Sequence, residues 1–139
     1  MIFREATSED IEQISKLSIN KKADRSLQDT LDYFYTLEHE GEILGVGGFR
    51  IIIPTTAWCW VDFTDYGVSR IKDTYRTTRE WIDSWAKEHK IARLQAFIRD
   101  SEKERRLVEH LGFQQESVME HFYGKDNALM YFRSFYESI

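Results

Sequence analysis

The chain has 139 residues, 42% hydrophobic and 31% charged, with a net charge of −5. This length and balance support one folded domain over residues 1–139 and exclude a disordered chain. The acidic charge argues against a dedicated nucleic-acid binder, and the single cysteine, Cys59, excludes an intramolecular disulfide and a cysteine zinc site.

Ile2 to Ala6 reads as a short strand. Thr7 or Ser8 opens a helix with Asp10 in its first turn, where a carboxylate complements the helix dipole. Ile11, Ile14 and Leu17 are spaced for one buried face. Ser26 and Asp29 repeat the capping pattern ahead of a second helix with Leu27, Leu31 and Phe34 as its stripe. The basic link Asn20 to Arg25 between them reads as a loop. Thr36 to Glu40 and Ile43 to Ile53 form a hairpin turning at Glu40-Gly41. Ile51-Ile52-Ile53 suits a strand buried on both faces, ended by Pro54, the only proline. Gly45, Gly47 and Gly48 lie within this strand with no helix after them, so they mark a bulge or a close contact rather than a phosphate loop. Trp58 to Thr64 is the next strand, with Trp58, Trp60 and Asp62 facing one way and Cys59, Val61 and Phe63 the other.

The longest helix spans about Ser69 to His89, its stripe being Ile71, Tyr75, Thr78, Ile82, Trp85 and His89. Leu94 to Ile98 is a strand. Ser101 caps a helix running to Leu111, with Glu104 completing a capping box and Gly112 at the left-handed stop. A strand pair over Gln114 to Phe122 and Leu129 to Arg133 turns near Gly124-Lys125-Asp126-Asn127.

The order β-α-α-β-β-β-α-β-α-β-β, with Leu111-Gly112-Phe113 closing the last helix, resembles the GNAT superfamily of acyl-CoA-dependent N-acyltransferases over almost the whole chain. The resemblance implies an α+β fold: a mixed, mostly antiparallel sheet with helices on both faces, and an acyl-CoA cleft where the fourth and fifth strands part. It also implies acetyl-CoA as co-substrate. In the family, an R/Q-x-x-G-x-G/A loop at the start of the helix after the fourth strand cradles the coenzyme pyrophosphate with backbone N–H groups. The matching positions here are Arg70-Ile71-Lys72-Asp73-Thr74-Tyr75. Arg70 stands at the leading basic position, both glycines are missing, and Asp73 puts a carboxylate where phosphates would sit. A slipped loop using Gly67, with Arg70, Lys72 and Arg76 as cations, would keep the site; a plain helix start with solvated basic residues would not.

The resemblance further places Asp62, Phe63 and Thr64 on the main-chain segment that holds the pantetheine arm and polarises the thioester, with Phe63 and Thr64 as its binding residues. The family's tyrosine general acid is replaced by Val108, which leaves His110, Tyr123 or a water, and a common asparagine is replaced by Ser101. An amine acceptor also needs a base, for which Asp62 is the first candidate and Glu40 or Glu38 the next. The implied reaction is acetyl transfer to a primary amine of a small molecule or protein. The alternative is a catalytically degenerate protein of this fold. The tryptophan-rich fourth strand, the glycine-free helix start and the late Gly-Lys-Asp turn resemble small bacteriophage-encoded members, for which a role in assembly or host interaction is implied.

His39, His89, His110 and His121 show no metal-ligand spacing, and Cys59 reads as a small buried hydrophobe. Trp58, Trp60, Trp81 and Trp85 read as core rather than pocket lining, and Arg99 to Arg106 as a solvated face. Phe132, Phe135 and Tyr136 would suit a homodimer interface. The opening MIFREATSED lacks the basic and apolar regions of a signal peptide, and no apolar run is long enough to span a membrane, so a cytoplasmic protein is expected, in a bacterium or a phage-infected host.

Overall fold

The computed structural model describes residues 1–19 and 28–138. In chain order the elements are β1 (Ile2–Glu5), α1 (Ser8–Leu17), β2 (Tyr33–His39), β3 (Glu42–Ile53), β4 (Thr56–Phe63), α2 (Asp65–Ser69), α3 (Ile71–Glu88), β5 (Arg93–Arg99), α4 (Glu102–His110), β6 (Gln114–Tyr123) and β7 (Asp126–Ser134). Single 3-10 turns occupy Gln28–Thr30 and Tyr136–Ser138. The seven strands form one mixed sheet in the order β1-β2-β3-β4-β5-β7-β6. The pairs β1–β2, β2–β3, β5–β7 and β7–β6 are antiparallel. β4 and β5 are parallel and pair over Thr56–Trp58 and Arg93–Gln95.

The chain divides into two compact units: Met1–Arg50 with Cys59–Trp81, and Ile51–Trp58 with Ile82–Ile139. In the first, strand alternation sends side chains to opposite faces, and each face meets its own helix. Arg4, Thr36 and Asp62 point to the side of α1; Phe3, Tyr35 and Phe49 point to α3, where they surround Trp81. The Phe3 ring stacks on Trp81 at 4.0 Å between centroids. Gly47 lies beneath the Trp81 ring, where an added Cβ would meet it at 3.2 Å. Gly45 and Gly48 are packed as closely, against Phe63 and the Tyr33 carbonyl, so these strand glycines mark close contacts as their position suggested. The tryptophans are likewise packed among aromatic neighbours: Trp60 against Phe34, Trp58 against Phe97 and Trp85 against His89.

The first helix buries a different stripe from the one its apolar residues suggest. Ile11 and Leu17 are 36% and 46% exposed, while Asp10, Ile14 and Ser18 are buried. The cause is polar. Thr7 and Asp10 form a capping box, and Asp10 also takes both guanidinium nitrogens of Arg4, at 2.6 and 3.1 Å, and the Thr36 hydroxyl at 3.0 Å. The Arg4 guanidinium holds the Asp10 carboxyl well below the usual carboxylate range, and the Thr7 N–H adds to this against the cost of burial. Arg4 is raised in turn.

The second helix expected from Leu27, Leu31 and Phe34 is not found among the described residues. Gln28–Thr30 is one 3-10 turn, and Phe34 already lies in β2. The aromatic run Tyr33-Phe34-Tyr35 favours a pleated strand, and pairing with β3 fixes it. Ser26, Leu27 and Asn20 to Arg25 lie outside the described residues. Glu40 and Gly41 turn the hairpin, both with positive φ (52° and 80°), the conformation of a two-residue primed turn. Ile52 and Ile53 are 46% and 55% exposed, not buried on both faces. Their β2 partner ends opposite Phe49, so the tail of β3 runs past its neighbour on that side.

In the second unit, Leu94, Ala96 and Ile98 of β5 are buried on the side of α3 and α4, with Ile82, Trp85, Ala86, Val108 and Leu111. Arg133 of β7 lies on this side too, pairing with Asp83 of α3 at 2.5 Å and donating to the Leu111 carbonyl at the end of α4 at 3.2 Å. Ser101 caps α4 by accepting the Glu104 N–H at 3.2 Å; its hydroxyl then donates to the Glu104 carboxylate. Gly112 follows with φ 91°. Arg105 pairs with Asp100 and Arg106 with Glu102 on an exposed surface. Of the three C-terminal aromatics, Phe135 is buried, which removes it from an exposed interface. Tyr136 is 71% exposed, and Phe132 is half-buried beneath Arg93. Among the described residues, no helix is long and apolar enough to cross a membrane.

Candidate active site

The end of β4 divides its side chains between two helices. Asp62 is 4% exposed and accepts the Ser18 hydroxyl at 2.7 Å, a group delivered by the end of α1. Phe63 turns the other way and meets Tyr75 of α3 edge-on at 6.1 Å. Thr64 then caps α2. Its Oγ accepts the Gly67 N–H at 3.1 Å and donates to the Ile43 carbonyl at 2.7 Å. Two main-chain groups here are engaged within the protein: the Phe63 carbonyl accepts the Ile19 N–H at 2.9 Å, and the Thr64 N–H donates to the Leu44 carbonyl at 3.0 Å.

The helix expected from about Ser69 is α3, Ile71–Glu88, and a short helix that the sequence did not suggest, α2, precedes it. α2 ends at Ser69, Arg70 leaves helical geometry (φ −119°, ψ 38°), and α3 begins afresh at Ile71. The break follows from tight docking of α2. Gly67 lies so close to the Leu44 carbonyl that any Cβ would collide with it, and the Gly67 carbonyl accepts the Thr74 hydroxyl at 2.8 Å. Gly67 therefore serves packing, and its N–H is taken by Thr64. The Gly67 N–H that a slipped phosphate loop would use is thus engaged within the protein.

What remains is the start of α3. The first turn of a helix has N–H groups without intrahelical partners, at the positive end of the helix dipole. Ile71, Lys72 and Asp73 supply that turn, and the Thr74 N–H bonds back to the Arg70 carbonyl at 3.0 Å. The Arg70 guanidinium lies over the Tyr66 ring at 4.9 Å and donates to its hydroxyl at 3.1 Å. Lys72 is exposed. Asp73 is paired with Arg76 at 2.9 Å on the exposed side of the helix, so its charge is partly offset. Phe63, Thr64, Arg70, Ile71, Lys72, Asp73, Thr74, Tyr75 and Arg76 thus lie along one strand–helix–helix segment, with Asp62 at its start.

The remaining candidates are placed differently. Glu40 sits at the hairpin tip, its side chain 74% exposed and 3.8 Å from His39; Glu38 is committed to Arg4 at 2.8 Å. His110 and Tyr123 belong to the second unit. His110 is the exposed last residue of α4, and Tyr123, half-buried at the end of β6, lies under the Arg99 guanidinium at 3.9 Å. Val108 is buried at 5% exposure and offers no proton. Two residues go unnoticed in the sequence. Ser18, the partner of Asp62, is 44 residues away and carries no local signal. Tyr66, four residues before Arg70, was within reach of helical spacing. No group of three or more His, Cys, Asp or Glu among the described residues is placed to hold a metal ion.

No family model and no curated protein matches this sequence. Solved structures do match its fold. Ard1 from Thermoplasma volcanium is 17% identical, with 96% of each chain covered and a TM-score of 0.76. An acetyltransferase from Bacillus subtilis in complex with CoA is 14% identical, covering 96% of this chain and 97% of that one, with a TM-score of 0.73. A spermidine N-acetyltransferase from Vibrio cholerae is 11% identical, covering 100% of this chain and 98% of that one, with a TM-score of 0.76.

Proposed function

From the premise that this chain has the GNAT fold, we propose that it is an N-acetyltransferase that moves an acetyl group from acetyl-CoA to a primary amine. The observation that carries this reading is the break at Arg70, which gives α3 its own N-terminus after the fourth strand and the short α2. That turn offers backbone donors, and Arg70 and Lys72 add cationic charge, a chemistry that fits a pyrophosphate without glycines. Ile71, Thr74 and Tyr75 shape the turn, Arg76 offsets Asp73, and Phe63 and Thr64 form the strand end that would meet the pantetheine arm.

Bound acetyl-CoA would supply the activated thioester; the protein's own task is to orient the amine and move its proton. Asp62 is proposed as the base. It is buried, and Ser18 fixes the orientation of its carboxylate. Glu40, exposed at the hairpin tip, is the second candidate. His110 and Tyr123 are the proposed proton donors to the leaving thiolate, since Val108 cannot serve. The acceptor class follows two structural neighbours: a polyamine, as for the Vibrio cholerae spermidine N-acetyltransferase, or the amino group of a protein, as for the ribosomal-protein-S18-alanine N-acetyltransferase from Escherichia coli.

The test is thiol release from acetyl-CoA in the presence of spermidine or peptides with a free N-terminus, with the acetylated amine weighed by mass spectrometry. Matched thiol and acetyl-amine yields are expected. No acetylation across the panel at millimolar amine contradicts the reading. The buried Val108 and the carboxylate of Asp73 favour the second reading, a catalytically degenerate protein acting in phage assembly or host interaction. On that reading acetyl-CoA neither binds nor turns over.

A further inference from the structure

The second unit carries an aromatic surface that its own core does not use. Strand alternation in β5 buries Leu94, Ala96 and Ile98 against the helices and leaves Arg93, Gln95, Phe97 and Arg99 half-buried on the opposite face. Both helical pieces of this unit pack on the Leu94 and Arg133 side, as the Arg133 contacts to Asp83 and the Leu111 carbonyl require. Across the opposite face runs a ladder of rings. Trp58 meets Phe97 edge-on at 5.2 Å, Phe97 meets Phe122 at 4.9 Å, and Phe122 meets Tyr123 edge-on at 4.9 Å. Phe122 is 47% exposed. Two consecutive residues join one ladder because the strand is bulged: the β6–β7 register shifts between Met119 and Tyr123, and His121 takes a positive φ of 58°. Bulges re-aim side chains in this way.

The two arginines of this face differ. Arg93 is held by Glu116 through two short bonds, at 2.6 and 2.8 Å. Arg99 lies over Tyr123 at 3.9 Å, and no carboxylate among the described residues pairs with it. Its Nε is buried without a hydrogen-bond partner. An arginine half-desolvated on an aromatic face and lacking an acid is complementary to an incoming carboxylate.

We propose that this face docks an extended peptide segment of a partner protein, bearing two apolar side chains and a carboxylate on the same side. The spacing sets the pattern. Successive ring contacts near 5 Å make the ladder long enough for two same-side residues of an extended chain, which are about 6.5–7 Å apart, with the acid at the next same-side position. A nucleic acid fits poorly. The chain is acidic overall, and among the described residues of this face Arg99 is the one guanidinium without a carboxylate.

The probe is a fluorescein-labelled peptide, Leu-Ser-Leu-Ser-Asp, blocked at its C-terminus as the amide and read by anisotropy. Its counterpart ends in Asn. The Asp peptide is expected to bind roughly tenfold more tightly than the Asn peptide to the native protein. Arg99→Gln should abolish that preference while leaving the melting temperature within a few degrees. Phe122→Ser, at an exposed position, should weaken both peptides alike. Equal affinity of the two peptides for the native protein, a preference that survives Arg99→Gln, or no binding at millimolar peptide overturns the proposal. So does a dimer in sedimentation that Phe122→Ser dissociates, because the occupant is then a second copy. Tighter binding of a single-stranded oligonucleotide at the same face also overturns it.

Discussion

Asp10 is the residue whose environment differs most from its sequence context. It caps α1, pairs with Arg4 and accepts Thr36, so three elements converge on one buried carboxylate. Asp10→Asn keeps the shape but loses the charge, and should cost about 2–4 kcal/mol in urea unfolding at neutral pH. The pH dependence has a definite sign. The folded-state pKa is depressed, so the stabilisation is complete above the unfolded carboxylate value of about 4 and is lost as pH falls below it. Native and Asp10→Asn stabilities should therefore converge in acid; a constant gap down to pH 2 would contradict the assignment. Gly67 offers a second residue-scale test. Its missing Cβ lets α2 lie against the Leu44 carbonyl, a backbone atom that cannot swing aside. Gly67→Ala should destabilise by about 1–3 kcal/mol and loosen the start of α3, read as a lower melting temperature together with weaker CoA binding. Unchanged values of both would show that the docking is unimportant.

Among the elements, the strands and α4 were the most legible in the sequence. The alternation of Trp58, Trp60 and Asp62 against Cys59, Val61 and Phe63 put Asp62 and Phe63 on opposite faces, as observed through Ser18 at the end of α1 and Tyr75 of α3. The Ser101 cap and the Gly112 stop were local signals and were read locally. The start of α3 was legible to within two residues; the break at Arg70 that parts it from the unexpected α2 was not, because Ser69-Arg70-Ile71 contains neither glycine nor proline. It arises from tertiary docking of Gly67 on a strand more than twenty residues earlier. The α1 stripe was misread for a similar reason: apolar periodicity cannot show that a buried ion pair draws Asp10 inward. At the start of α3, Asp73 opposes the cations that a polyanion needs. Asp73→Asn should tighten CoA binding a few-fold at low salt, an advantage that shrinks as ionic strength rises. Weaker binding in Asp73→Asn would mean that the carboxylate holds Arg76 in a needed position.

At the scale of the whole molecule, the strands and three of the helices were readable from periodicity and turn residues, the mixed sheet was implied by the family resemblance, and solved structures below 20% identity share that architecture over nearly the full chain. Chemistry was less readable, since the residues that mark it in the resemblance are changed here: two glycines are absent and Val108 replaces a proton donor. Backbone donors carry no side-chain signature, so their proposed role at the start of α3 rests on three-dimensional geometry rather than on sequence. In the proposed function this helix start holds the coenzyme. Calorimetric titration of CoA at low ionic strength tests it most directly, with an Arg70→Ala, Lys72→Ala double variant as the comparison. The account predicts one CoA per chain, a dissociation constant of about 1–100 µM and weakening of about tenfold in the double variant. An absence of saturable heat at millimolar CoA, or identical binding by the double variant, would contradict it.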